Sequence, residues 1–373
     1  MGDPFPTIAG LALPKQYLAR CLDPEGGHHA LLLHGPEGIG KLALALAYVK
    51  RLVGPVDASA GLFGEAVAPT TGYDPVSTDV HLARIGSHPD IIVFSRSREL
   101  LADEARGLLD RLATSPQRAP RKVVILDGAE QFNPTVANLL LKSLEEPPPW
   151  GQFLLLTTAP DQLLPTIRSR TLPVPCREAG ADEIAGALRL FFPPRVAEDL
   201  IALIPLVGGR VGDLLRLGLL PKFSAWCDDL RGCLWRVAGA RPAHLFELET
   251  DLGALFTAWE KLYTSETLPI GADLAELASW RSDQDHAPAF VNWFPESEPP
   301  PATVRQRLFL TLAGRLAIAA FHGDVAWQTD RMANLMEGLR RAARRLEYNA
   351  NWSLVLEGIV LETMGYDCGV GVS

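Results

Sequence analysis

The stretch from Lys122 to Arg170 constrains the fold more than any other part of the chain. It opens on the apolar run Val123-Val124-Ile125-Leu126, which ends in Asp127. A helix is expected next, entered at Asn133-Pro134. An asparagine side chain can accept from the free amides of a first turn, and proline suits the first helical position. Ala137, Leu140, Leu141 and Leu144 fall on one face of that helix. Pro147, Pro148 and Pro149 stop it, because proline has no amide hydrogen and collides with the preceding turn. A second apolar run, Phe153-Leu154-Leu155-Leu156, ends in Thr157-Thr158. Two all-apolar strands joined through a helix imply parallel neighbours covered on both faces. Ligands of such sheets bind at the carboxyl ends of the strands, so Asp127, Thr157 and Thr158 stand at a candidate site.

The first strand, Ala30 to His34, runs into Gly35-Pro36-Glu37-Gly38-Ile39-Gly40-Lys41-Leu42 and then into an apolar helix. That is the strand–loop–helix context of a P-loop. Gly35, Gly38 and Gly40 let backbone amides turn toward a phosphate, the helix N-terminus favours its charge, and Lys41 reaches the terminal phosphates. The plainer alternative is a glycine-rich turn with no ligand. A magnesium-binding P-loop needs a Ser or Thr hydroxyl after the lysine, and here the residue is Leu42. ATP or ADP could still bind there, but magnesium-assisted hydrolysis is expected to be badly impaired. Asp127 stands where a Walker B aspartate would hold the metal. The glutamate that normally follows it and activates water is replaced by Gly128, and Glu130 lies beyond a turn. Two catalytic positions are missing while the residues that support the fold remain.

From Val53 to His88 the composition turns to Gly, Ala, Pro, Thr and Asp without periodicity, the mark of an irregular surface insertion. His81 and His88 are a weak basis for a metal site and are read as surface or loop histidines. The five cysteines form no CxxC pair, so neither zinc nor a disulfide framework is expected, and a reducing cytoplasm is the plain reading. A net charge of −9 argues against a chain that coats nucleic acid by bulk electrostatics. The first residues lack the pattern of a signal peptide, and no apolar run is long enough to span a bilayer. A second strand is expected at Ile91–Phe94, with a helix over Glu99 to Ala113 behind it. Arg118, Arg121 and Lys122 read as a solvated basic turn, with contact to DNA phosphate as the alternative.

Arg170, in Ile167-Arg168-Ser169-Arg170-Thr171, admits two readings from the residues alone. It could be paired structurally with a carboxylate, or it could reach into a neighbouring subunit's nucleotide site and stabilise charge on the transferred phosphate.

The combination HALLLHGPEGIGK, HPDI, RKVVILDGAEQFNPTVANLLLKSLEEPP and LLLTTAPDQLLPTIRSR resembles the clamp-loader branch of the AAA+ family. In particular it resembles the delta-prime subunits of bacterial DNA polymerase III, strongly over residues 5–175. The gamma/tau ATPases of that branch keep the two catalytic residues absent at Leu42 and Gly128, whereas delta-prime subunits commonly have degenerate sites. The resemblance implies that Arg170 is a trans arginine finger for a neighbouring gamma/tau ATPase, with Thr171 in place of the family's cysteine. It implies gamma/tau and delta subunits as partners, and the sliding clamp and primer-template DNA through the complex. It also implies a degenerate nucleotide site of Gly35, Gly38, Gly40, Lys41, Asp127, Thr157 and Thr158, with no zinc module in the cysteine-free insertion.

The expected fold is an α/β AAA+ P-loop module with a parallel sheet over 1–175, a small helical lid over 176–222, and an all-α C-terminal collar domain over 223–373. Lid helices are expected over Asp182–Phe192, Arg195–Leu206 and Gly212–Leu220, with the family's sensor 2 position falling on Gly212, two residues from Arg210. Helices over Thr303–Phe321 and Trp327–Leu346 are the clearest beyond an interruption rich in Trp and Pro near 280–301. Arg340, Arg341, Arg344 and Arg345 form a basic stripe read as a solvated face, with a partner-binding surface as the alternative. The expected function is a non-hydrolysing clamp-loader subunit in the cytoplasm. The alternatives are an active gamma/tau-like ATPase or a stand-alone P-loop nucleotide kinase.

Overall fold

The structure, a computed structural model, describes residues 3–23, 26–53, 87–94, 100–219, 223–239, 241–265, 302–323, 329–346 and 351–366. Residues 54–86 of the expected insertion, with His81, lie outside these, as does the stretch near 280–301.

Five strands form one sheet: β1 (Ala30–His34), β2 (Ile91–Phe94), β3 (Lys122–Asp127), β4 (Gly151–Thr157) and β5 (Leu172–Pro175). Their order is β2-β3-β4-β1-β5, and every pairing is parallel. Helices α1 (Ala12–Cys21) and α2 (Lys41–Val53) cover one face, while α3 (Ala102–Ala113) and α4 (Pro134–Glu145) cover the other. Alternate strand residues sort onto these faces. Leu31, Leu33, Val123, Ile125, Leu154 and Leu156 pack with Leu18, Leu44 and Tyr48. Leu32, Val124, Leu126, Phe153 and Leu155 pack with Leu108, Val136, Leu140 and Leu144. Each such leucine, taken fully out of water, stabilises the fold by about 1.5–3 kcal/mol, and this explains why the strands carry no polar face.

α4 begins where the sequence implied: the Asn133 side chain accepts from the Val136 amide at 2.9 Å. α3 starts later than expected, at Ala102, with the Glu104 carboxylate accepting from the Leu101 amide. His88 is a loop histidine, as expected, but it is fully buried, and its Nδ1 accepts from the Asp90 amide. The solvated reading of Lys122 is corrected. Lys122 is buried too, donating to the Arg111 carbonyl and the Thr114 hydroxyl. Asp90 explains this corner. Its buried carboxylate accepts from the amides of Gln117, Arg118 and Ala119, pinning the basic turn to the start of β2.

Beyond the one-turn helix α5 (Pro165–Arg168) and β5 come the helices α6 (Ala181–Phe191), α7 (Pro194–Ala202), α8 (Ile204–Val207) and α9 (Val211–Gly218). Contacts divide the chain into two units, and residues of the expected lid are shared between them. The first unit holds the sheet and runs to Ala197, with Gly209–Gly212 added. The second takes Glu198–Gly208 and the helices α10 (Phe223–Ala238), α11 (Leu245–Ser265), α12 (Ala302–Gly323), α13 (Thr329–Arg345) and α14 (Trp352–Thr363). Its core is aromatic: Trp226 lies 5.0 Å from Trp259 and 6.0 Å from Phe309, and Phe256 lies 4.5 Å from Trp352. The basic stripe on α13 is not simply solvated. Arg345 pairs with the buried Glu362 of α14 at 2.7 Å, and Arg341 reaches Glu337 at 2.9 Å.

Candidate functional site

The sheet brings the expected nucleotide-site residues to its carboxyl edge, while Arg170 lies before β5 at the opposite edge. In the pairing register His34 stands beside Thr157, and Asp127 stands beside Leu156, so the ends of β1, β3 and β4 are level. The P-loop leaves this edge, with the Gly35 amide donating to the Thr157 carbonyl at 3.2 Å. Gly38 and Gly40 have φ of +78° and +94°, a backbone that side chains disfavour, and so the loop can curl.

Lys41 does not reach outward. Its buried ammonium donates to the carbonyls of Gly35 and Pro36, each at 2.7 Å. The cation therefore already has charge-assisted partners in the loop that it would leave to meet a phosphate. Leu42 is partly buried and packs against the core on the α1–α2 face, so the position that would offer a hydroxyl is spent on packing. Gly212 closes the loop from another side: its amide donates to the Gly38 carbonyl at 2.7 Å, and a Cβ there would come within 2.8 Å of that oxygen. Arg210 instead approaches Glu178, at 3.9 Å. His34 has its pKa lowered, first by burial and then by Lys41 and Arg168, so it is neutral near pH 7.

The hydroxyl pair is also engaged. Thr157 is buried, and its Oγ1 accepts from the Ala159 amide at 3.1 Å, which shapes the turn after β4. Thr158 donates to a carboxylate oxygen of Glu130 at 2.8 Å. The fold thus returns Glu130 to the site edge even though it follows a turn. Gly128 has φ +83° and its amide donates to the Leu156 carbonyl, so the residue after Asp127 is a left-handed corner.

Arg170 stands at the start of β5 with its side chain about one-third exposed. It is ion-paired with Glu145 at the end of α4, and it donates to the Thr166 carbonyl at 2.9 Å. Sequence reasoning offered a carboxylate partner in general terms but missed Glu145, which the proline stop hides as an ordinary helix end. Thr171 is buried and donates to the Ile167 carbonyl, closing the turn that presents Arg170.

A five-stranded parallel sheet with a P-loop after β1, flanked by helices on both faces, defines a P-loop α/β protein. Residues 13–179 match the protein family described as "DNA polymerase III, delta subunit". The chain is 38% identical to DNA polymerase III subunit delta-prime of Pseudomonas aeruginosa over 184 residues, 48% of this chain and 53% of that protein. It is 33% identical to the gamma/tau subunit of Mycobacterium tuberculosis over 203 residues, 54% of this chain and 31% of that one. A solved gamma subunit-related protein from Thermotoga maritima aligns with a TM-score of 0.45 at 16% identity, covering 94% of this chain and 98% of that one. Within the P-loop class, then, the segment that carries the loop and sheet is similar to delta-prime subunits of DNA polymerase III. The chain spans about half the length of the delta-prime relative and under a third of the gamma/tau one.

Proposed function

We propose that this chain is a delta-prime-type clamp-loader subunit that hydrolyses no ATP of its own and lends Arg170 to a neighbouring gamma/tau ATPase. The observation that carries this reading is the contrast between two cations. Lys41 is buried in its own loop beside a leucine that offers no oxygen, while Arg170 stands at the surface at the end of the sheet. A P-loop built this way supports the fold. ATP or ADP could enter only by drawing Lys41 off two carbonyls, and nothing at position 42 would hold magnesium for the chemistry. The relatives' names are those of DNA polymerase III subunits, and on this reading the chain would have gamma/tau and delta partners. In that setting the chain would help load a sliding clamp on primed DNA in the cytoplasm. No helix among the described residues is long and apolar enough to cross a membrane.

The test is ATP turnover by the reconstituted complex with clamp and primed DNA, using wild type and Arg170→Ala. Turnover falls with assembly intact on this reading, since a finger arginine contributes about 10³–10⁵ at the site it serves. Unchanged turnover removes the finger. Steady turnover by the isolated wild-type chain would instead establish an active ATPase.

A further inference from the structure

The immediate surroundings of Arg170 go further than its exposure. A cleft of about 530 Å³ opens beside it, lined by His28, His29, Glu145, Ser169, Arg170 and Thr171. Glu145 holds one end of the guanidinium, and the Thr166 carbonyl and the Ser169 hydroxyl, at 2.9 and 3.3 Å, hold the other. Glu145 is the last residue of α4, where the negative end of the helix adds to the carboxylate's attraction for a cation. Both side chains remain open to water, at 31% and 47% exposure.

We infer that Glu145 is a masking partner for Arg170: it occupies the guanidinium until an anionic phosphate from a neighbouring subunit's nucleotide displaces it. The inference rests on the reading of Arg170 as a trans finger. A carboxylate and a phosphate compete for the same N–H donors, and the phosphate brings more charge with the same two-pronged geometry. An ion pair this exposed favours its closed form by no more than about fivefold, which leaves it displaceable. A buried pair would have locked the arginine. Glu145 therefore acts through Arg170 and sets how readily the finger is given up.

The experiment measures KM for ATP and kcat separately in the reconstituted complex, with Glu145→Gln, Arg170→Ala and, as a control for charge alone, Glu146→Gln. Glu146 is also exposed at the same helix end. Loss of the competitor strengthens binding of ATP and of the transition state alike, so Glu145→Gln should lower KM by about two- to fivefold and leave kcat unchanged. Glu146→Gln should leave both at the wild-type values. An unchanged KM in Glu145→Gln, with Arg170→Ala still impaired, overturns the mask and spares the finger. A fall in kcat in Glu145→Gln makes Glu145 a residue that orients the finger, which also overturns the mask. If Arg170→Ala has no effect, the finger reading fails and the mask goes with it.

Discussion

Gly128 bears on the proposed loss of hydrolysis. Its φ of +83° is a conformation that an L side chain adopts at a cost of about 1–2 kcal/mol, so a glutamate placed there strains the corner it would have to serve from. Leu42 is likewise held in the packing against the α1–α2 core. Restoring the missing residues as Leu42→Thr with Gly128→Glu should therefore give an isolated chain that still shows no ATP turnover above background in a phosphate-release assay. Asp90 is the residue on which stability leans. Burial works against its charge, but the amides of Ala119, Arg118 and Gln117, with His88 adding to them, hold its pKa below the ordinary value. A carboxylate depressed in this way stabilises the fold fully above its unfolded pKa of about 3.9, and the contribution is lost as pH falls through the lower folded value. Asp90→Ala leaves three amides without that acceptor and should cost about 1–3 kcal/mol in urea unfolding at pH 7, with a smaller deficit as the pH is taken toward 3.

At the scale of the element, α13 and α14 are tied by charge as well as by packing. Glu362 is buried beside Arg345, and Gly358 lies so close to the Arg345 guanidinium that a Cβ there would meet it at 2.1 Å. Removing one partner of a buried pair strands the other, so Glu362→Ala should destabilise the second unit by about 3 kcal/mol in denaturant unfolding. Glu337 is the opposite case. Hydrogen bonds from Arg340 and Arg341 hold its pKa at about 2, yet it lies at the surface. Glu337→Gln should leave the same unfolding curve close to unchanged, because water screens what it loses. α4 joins this scale to the site. Its apolar face anchors it to the sheet, and its last residue, Glu145, is thereby set against Arg170.

For the whole molecule, a net charge of −9 keeps the isolated chain from holding DNA by bulk attraction. Fluorescence anisotropy with primed DNA at about 0.15 M salt should show no binding by the chain alone. The sheet, its parallel sense, the P-loop and the cap of α4 were legible because each is written in neighbouring residues: apolar runs too pure for an open face, glycines before a lysine, an asparagine before a proline. The residues Leu42 and Gly128, which the proposed function reads as losses, were legible for the same reason, at fixed spacings from Lys41 and Asp127. Burial of His88 and Lys122 was not, since Arg111 meets both from another element, its guanidinium donating to the His88 carbonyl and its carbonyl accepting from Lys122. Nor was the aromatic core of the second unit, where Trp226, Phe256, Phe309 and Trp352 come from four helices. Local pattern sets backbone conformation and which face is apolar, so the sequence by itself determined the sheet elements and the residue types of the loop. Where a polar side chain finds its partner depends on which distant segments the packed core brings within hydrogen-bonding distance. Only the tertiary structure decided that Lys41 turns inward and that Arg170 is held by Glu145.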